Sequence, residues 1–163
     1  MLEITRKLDQ GGPVPAATLS LAWEQRQRSR LKVTLDDGRQ AALLLPRGTA
    51  LKDGDLLQAT GGLVVAVRAA VEELTLAACA ETLDLARACY HLGNRHAPVQ
   101  IRADGVLYQR DHVLDDMLRG LGLEPRPVEA AFQPEAGAYH GQPGQAGPHG
   151  VPHVHHGREA KNC

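Results

Sequence analysis

The chain has 163 residues, of which 43% are hydrophobic and only 3% aromatic, so a core is affordable but must be built from Leu, Val, Ile and Ala. The formal net charge of -1 gives no global reason to expect nucleic acid as a partner. No run approaches the roughly 20 apolar residues of a membrane span, and the start, "MLEITRKLDQ", lacks the apolar stretch of a secretory signal, so a soluble, cytoplasmic protein is expected.

Residues 1–69 are expected to form an all-β domain. "ATLSLAWE" (17–24), "RLKVTLDDGRQAALLL" (30–45) and "DLLQATGGLVVAVRA" (55–69) carry short or alternating apolar runs, broken by "DDG", "PRG", "KDGD" and "TGG". Asp37-Gly38 between two such runs is a hairpin signal. This half holds 10 Lys/Arg against 7 Asp/Glu and is mildly basic.

Residues 70–134 read differently. "LVVAVRAAVEEL" (63–74) is a strand that bridges the halves. "TLAACAETLDLARACYHLGN" (75–94) is a long amphipathic helix, with Thr75 as its N-cap and Gly93 as its stop. "APVQIRADGVLYQR" (97–110) gives two strands with a turn at Asp104-Gly105. "DHVLDDMLRGLGL" (111–123) is a second helix capped by Asp111, with Val113, Leu114, Met117 and Leu118 as its apolar face and Gly120 or Gly122 at its end. "EPRPVEAAFQ" (124–133) is an edge strand, since its prolines would break a central ladder. Strand, helix, strand, strand, helix, strand is the ferredoxin-like βαββαβ order. The expected fold is therefore α+β: an all-β domain, a ferredoxin-like domain and a tail. The second half has 6 Lys/Arg against 10 Asp/Glu, and its acidic field favours a cation over a nucleic acid.

Residues 135–163 are Gly, Pro, Gln, Ala and His with almost no large apolar side chains, the composition of a disordered segment. The chain has eight histidines, and five of them, His140, His149, His153, His155 and His156, fall in this tail. Imidazole is a preferred ligand for nickel, copper and zinc, and "HGVPHVHH" places four within eight residues. His96 sits between the turn at Gly93-Asn94 and Pro98, which biases Ala97 toward an extended conformation. Alone it would be an ordinary surface histidine; about a two-fold axis it would appear twice. His91, one turn before the helix end, is suited to the helix dipole, with a metal role secondary. His112 opens the second helix, as a peripheral ligand or as helix-start chemistry.

The cysteines are three, Cys79, Cys89 and Cys163, with no CxxC, which argues against a disulfide framework or a Cys-rich zinc site. Cys79 and Cys89 lie in the apolar helical stretch as small core residues. Neither a GxxxxGK[ST] loop, nor a GxGxxG turn, nor a nucleophile–base–orienter set is recognisable, so an enzyme is not expected.

"YHLGNRHAPVQI" resembles the signature of the urease accessory nickel metallochaperones, the UreE family. "DHVLDDMLRGLGL" resembles that family's second helix, and the His-rich tail is also like theirs. The resemblance implies a homodimer joined through the second domain and Ni(II) carried to urease apoprotein during active-site assembly. It makes His96 of both copies the interfacial ligand and the tail histidines additional capacity. It implies a GTPase accessory partner within a urease activation complex, no nucleic acid and no membrane, and an N-terminal domain similar to a peptide-binding domain of chaperones. Some relatives carry His-x-His where this chain has Arg110-Asp111-His112, which weakens a peripheral site on His112. The alternative is a general cytoplasmic buffer of Zn(II), Cu(II) and Ni(II) with no delivery role, since affinity order alone favours copper at nitrogen sites.

Overall fold

In the computed structural model, residues 1–9 and 11–137 are described. The fold is mixed α+β and built on two sheets. The first contains β1 (Leu2–Leu8), β2 (Ala17–Leu21), β3 (Arg30–Thr34), β4 (Gln40–Leu44), β5 (Leu56–Ala59) and β6 (Val64–Ala69), in the order β2-β6-β5-β1-β4-β3. β1 with β4 and β2 with β6 are parallel pairs. The sheet curls around Ile4, Leu19, Leu43, Leu57, Val65 and Val67, all buried. The alternation seen in the sequence is the inward face of this curl. The "DDG" hairpin has a three-residue loop: Gly38 N–H bonds Leu35 O at 2.8 Å, Leu35 N–H bonds Arg39 O at 2.8 Å, and Gly38 takes φ 88.

The expected strand 17–24 ends at Leu21 and gives way to one helical turn, α1 (Trp23–Arg26). The expected bridging strand is two strands, β6 and β7 (Val71–Ala78), which belong to different sheets.

The second sheet runs β10-β7-β9-β8, antiparallel throughout, with β8 (Val99–Arg102), β9 (Gly105–Gln109) and β10 (Pro125–Ala131). α2 (Thr82–Asn94) and α3 (His112–Gly120) lie on one face. The chain order is strand, helix, strand, strand, helix, strand, as expected, and β10 with Pro125 and Pro127 is an edge strand. Four local expectations are corrected. Residues 75–78 are the end of β7 rather than helix, and Thr75 is a buried partner of Tyr108 rather than an N-cap. β7 is central and apolar on both faces, so it shows no period-2 alternation, and its alanines read as helix. Cys79 consequently precedes the helix. The turn after β8 is Ala103-Asp104, because Gly105 already belongs to β9; a Cβ there would run into the Ala77 carbonyl oxygen. Val113 is 55% exposed and is not part of the buried face of α3.

The two faces of the second sheet have separate cores. Ala88 and Leu92 of α2 and Leu114 and Leu118 of α3 pack on Ala77, Val106 and Tyr108. Leu74, Leu76, Leu107 and Phe132 fill the opposite face, with Trp23 against them. There the two sheets are fastened together. The guanidinium of Arg26, 2% exposed, donates to the carbonyls of Leu21 and Phe132. Trp23 meets Phe132 edge-on with ring centroids 6.0 Å apart, and its N–H bonds Glu72 at 2.8 Å. Burial lowers the pKa of Arg26, while Glu72, Asp53 and Asp55 oppose that shift. No helix among the described residues is long and apolar enough to cross a membrane.

Candidate metal centre

The histidine corner is built by the way α2 ends. The helix ends at Asn94, as expected, with Gly93 as a helical residue of its last turn. Ala97 N–H then reaches back to Leu92 O at 3.2 Å, and His96 N–H to Gly93 O at 2.9 Å. This pair of bonds is a Schellman motif, with Ala97 packing against the cluster that contains Leu92. The motif needs a left-handed residue, and that residue is His96, with φ 56; among the described residues it is the single non-glycine with positive φ. A side chain in this region costs about 1–2 kcal/mol, which is why glycine usually occupies it. His96 is exposed, so neither burial nor a core contact compensates for the strain. A strained, exposed imidazole on a fixed corner is the pattern expected where backbone strain is retained for function.

A groove of about 610 Å³ opens beside the corner. Its walls include Arg95, Pro98, Arg110, Asp111 and Val113 from the second half and Glu24 from α1. Arg110 reaches Glu73 at 3.2 Å. At its floor the Tyr108 hydroxyl donates to Asp115 at 2.6 Å. Burial, then the bond to Asp115, pushes the Tyr108 phenol far up, so it serves as a neutral donor.

The other candidates stand apart. His91 is half-buried in the last turn of α2, edge-on to Tyr90 with centroids 5.2 Å apart. His112 is exposed at the first position of α3. The neighbouring Asp111 carboxylate is committed to capping, accepting from Val113 N–H at 2.8 Å and Leu114 N–H at 3.2 Å, as its sequence position predicted. Burial pushes the thiols of Cys79 and Cys89 up, away from the thiolate that binds metal. Among the described residues no three His, Cys, Asp or Glu side chains stand close enough to hold one ion. His140, His149, His153, His155, His156 and Cys163 lie outside the described residues, as does the expected disorder of the tail.

One chain's described residues therefore offer a single well-placed imidazole at His96, not a closed site. The left-handed backbone of His96 has no local sequence signal, because Gly93 and Asn94 are the conventional stop residues and precede it by two or three positions. Nor does any local signal show that the chain after β10 crosses to the far edge of the sheet. There Gln133 N–H bonds Gln100 Oε1 at 2.8 Å and Glu135 N–H bonds Val99 O at 2.7 Å, three residues from His96.

The described residues thus present a two-sheet α+β scaffold with an exposed histidine at a helix corner. Comparison with known proteins gives the family. Residues 2–70 match the UreE urease accessory protein N-terminal domain, and residues 72–159 match the UreE urease accessory protein C-terminal domain. The urease accessory protein UreE of Alkalilimnicola ehrlichii is 55% identical over 141 residues, 86% of each chain. That of Pseudomonas putida strain W619 is 51% identical over 144 residues, 88% of this chain and 89% of the relative. That of Vibrio parahaemolyticus is 52% identical over 136 residues, 83% and 82% respectively. The chain belongs to the UreE family of urease accessory proteins, and its role in urease assembly is that of an accessory protein, not an enzyme.

Proposed function

We propose that the chain is a cytoplasmic nickel metallochaperone: it binds Ni(II) as cargo and delivers it to urease apoprotein during active-site assembly. The observation that carries the reading is His96, an exposed imidazole held at a left-handed corner where glycine would be more stable. One imidazole cannot retain a divalent ion, and the described residues near it add no cluster. A homodimer joined through residues 70–134, in a ferredoxin-like arrangement, brings two His96 side chains to one axis and supplies two nitrogens. His140, His149, His153, His155 and His156 add exchangeable ligands from residues 135–163. His91 and His112 are secondary; Arg110, tied to Glu73, stands where some relatives have a histidine. Residues 1–69 engage the partners, the accessory GTPase and the urease activation complex.

Calorimetric titration of Ni(II) into wild type, His96→Gly and a chain ending at Gly137 tests this. His96→Gly keeps the helix cap and removes the imidazole. The proposal expects a tight class of one ion per dimer that weakens at least tenfold, or about 1.4 kcal/mol, in His96→Gly, and a weaker class lost on truncation. The same titration with Zn(II) and Cu(II) sets the selectivity. A tight class unchanged in His96→Gly would remove the corner from the account. A His96 site that holds all three metals while the variant chain still activates urease would favour the buffer.

A further inference from the structure

We infer that the outward face of β3 and β4 is a docking surface for an acidic, partly apolar face of a partner protein; the inference rests on the reading of the chain as a urease-assembly factor. The register places Arg30 opposite Leu44, Lys32 opposite Ala42 and Thr34 opposite Gln40. Cross-strand partners share a face, and on these strands Leu31, Val33, Ala41 and Leu43 take the other, inward one. Leu44 is left 41% exposed on the outward face, beside Arg30 at one end of the strand pair. The ladder continues past the strand ends, where Leu45 N–H bonds Ser29 O at 2.9 Å. Arg28 and Arg47 therefore flank the same end of the pair.

Arg28, Arg30, Lys32 and Arg47 are all exposed, and none takes part in an ion pair among the described residues. Lys7 pairs with Asp55, Arg39 with Asp37, Arg102 with Asp104 and Arg119 with Asp116, while Arg6, Lys52, Arg68, Arg95 and Arg126 also form no ion pair among the described residues; what marks the patch is that four such cations gather on one strand pair and its end. The two carboxylates of the β3–β4 loop are engaged. Asp37 is bound by Arg39, and Asp36 takes the N–H and hydroxyl of Ser20 at 3.0 Å each. Glu3, opposite Ala42 on the next strand, is the acidic residue that borders the patch.

An exposed leucine flanked by arginine and lysine that form no ion pair among the described residues fits the anatomy of a protein interface, where arginine anchors are enriched and opposite charge sets orientation and on-rate. Its complement is an apolar side chain flanked by Asp or Glu. Nucleic acid fits less well, because the acidic second half, with 6 Lys/Arg against 10 Asp/Glu, opposes a phosphate backbone.

The test measures binding of full-length chains to purified urease apoprotein and to the accessory GTPase from the same source organism. The variants are Arg30→Glu/Lys32→Glu, the milder Arg30→Gln/Lys32→Gln, Leu44→Ser, and Arg87→Glu/Arg126→Glu on the other half as a control. Melting curves confirm folding, and a nickel titration of each variant reads the metal site separately. The inference expects a loss of about tenfold or more for the double reversal, a smaller loss for the glutamine pair and for Leu44→Ser, and a flatter salt dependence in both charge variants. The control binds like wild type, and nickel binding is unchanged throughout. It is overturned if the folded reversal binds like wild type, if wild type binds neither protein, or if the patch mediates binding only to phosphatidylserine vesicles or RNA. Loss of nickel binding in wild type itself would instead count against the proposed function.

Discussion

α2 and α3 end in the same motif but use different residues for it. After α3, Leu123 N–H bonds Leu118 O at 3.1 Å, Gly122 N–H bonds Arg119 O at 2.9 Å, and the left-handed residue is Gly122, φ 82. After α2 the corresponding positions are Ala97, Leu92, Gly93 and His96, φ 56. α3 closes with two buried leucines across the motif, Leu118 and Leu123, where α2 has Leu92 and the smaller, half-buried Ala97. α3 also begins with a carboxylate cap, Asp111, whereas the N-cap of α2, Glu81, makes no side-chain bond. α3 is thus built for stability at both ends. α2 gives up stability at the end that carries the exposed imidazole.

Four substitutions sharpen or break this contrast. Leu123→Ala removes the buried contact that closes α3 and should cost about 2–4 kcal/mol in urea unfolding; a cost below ~1 kcal/mol would mean the closure is not what holds this helix end. Gly122→His copies the α2 arrangement onto α3 and should cost about 1–2 kcal/mol, measured the same way. If that exchange is neutral, a left-handed histidine is no burden in this fold and His96 needs no special explanation. Asp111→Ala should cost about 1 kcal/mol through the loss of two capping bonds, visible as a lower thermal midpoint. Glu81→Ser, which offers α2 the cap it lacks, should gain about 0.5 kcal/mol, the smallest effect of the set; hydrogen exchange in residues 82–85 would place the gain at the first turn.

The contrast also explains what the sequence disclosed. α3 was legible because its signals are local and agree: a capping Asp, apolar residues at helical spacing and glycines at the end. α2 was legible in its middle and at its end, but not at its start. Its start was misplaced because β7 is buried on both faces, with Leu74, Thr75, Leu76 and Ala77 all inaccessible, so the strand left no alternation to read. Its end falls at Asn94 as expected, but the left-handed position after it is taken by His96 rather than by the glycine that usually fills it. Arg26 stands in "EQRQRSR", which reads as surface, yet it is buried between the sheets against Phe132, 106 positions away. No local pattern encodes such a contact. The choice of His96 as candidate came from residue type and family resemblance; its strained geometry became visible only in three dimensions.

In the proposed function, His96 sacrifices local stability to present a metal ligand. The most direct measurement is paired on one protein, His96→Gly: urea unfolding without metal and calorimetric Ni(II) titration. The account predicts that the variant is more stable by about 1 kcal/mol and that it loses the tight nickel class. A variant that is no more stable than wild type, or that binds nickel as tightly, would contradict it.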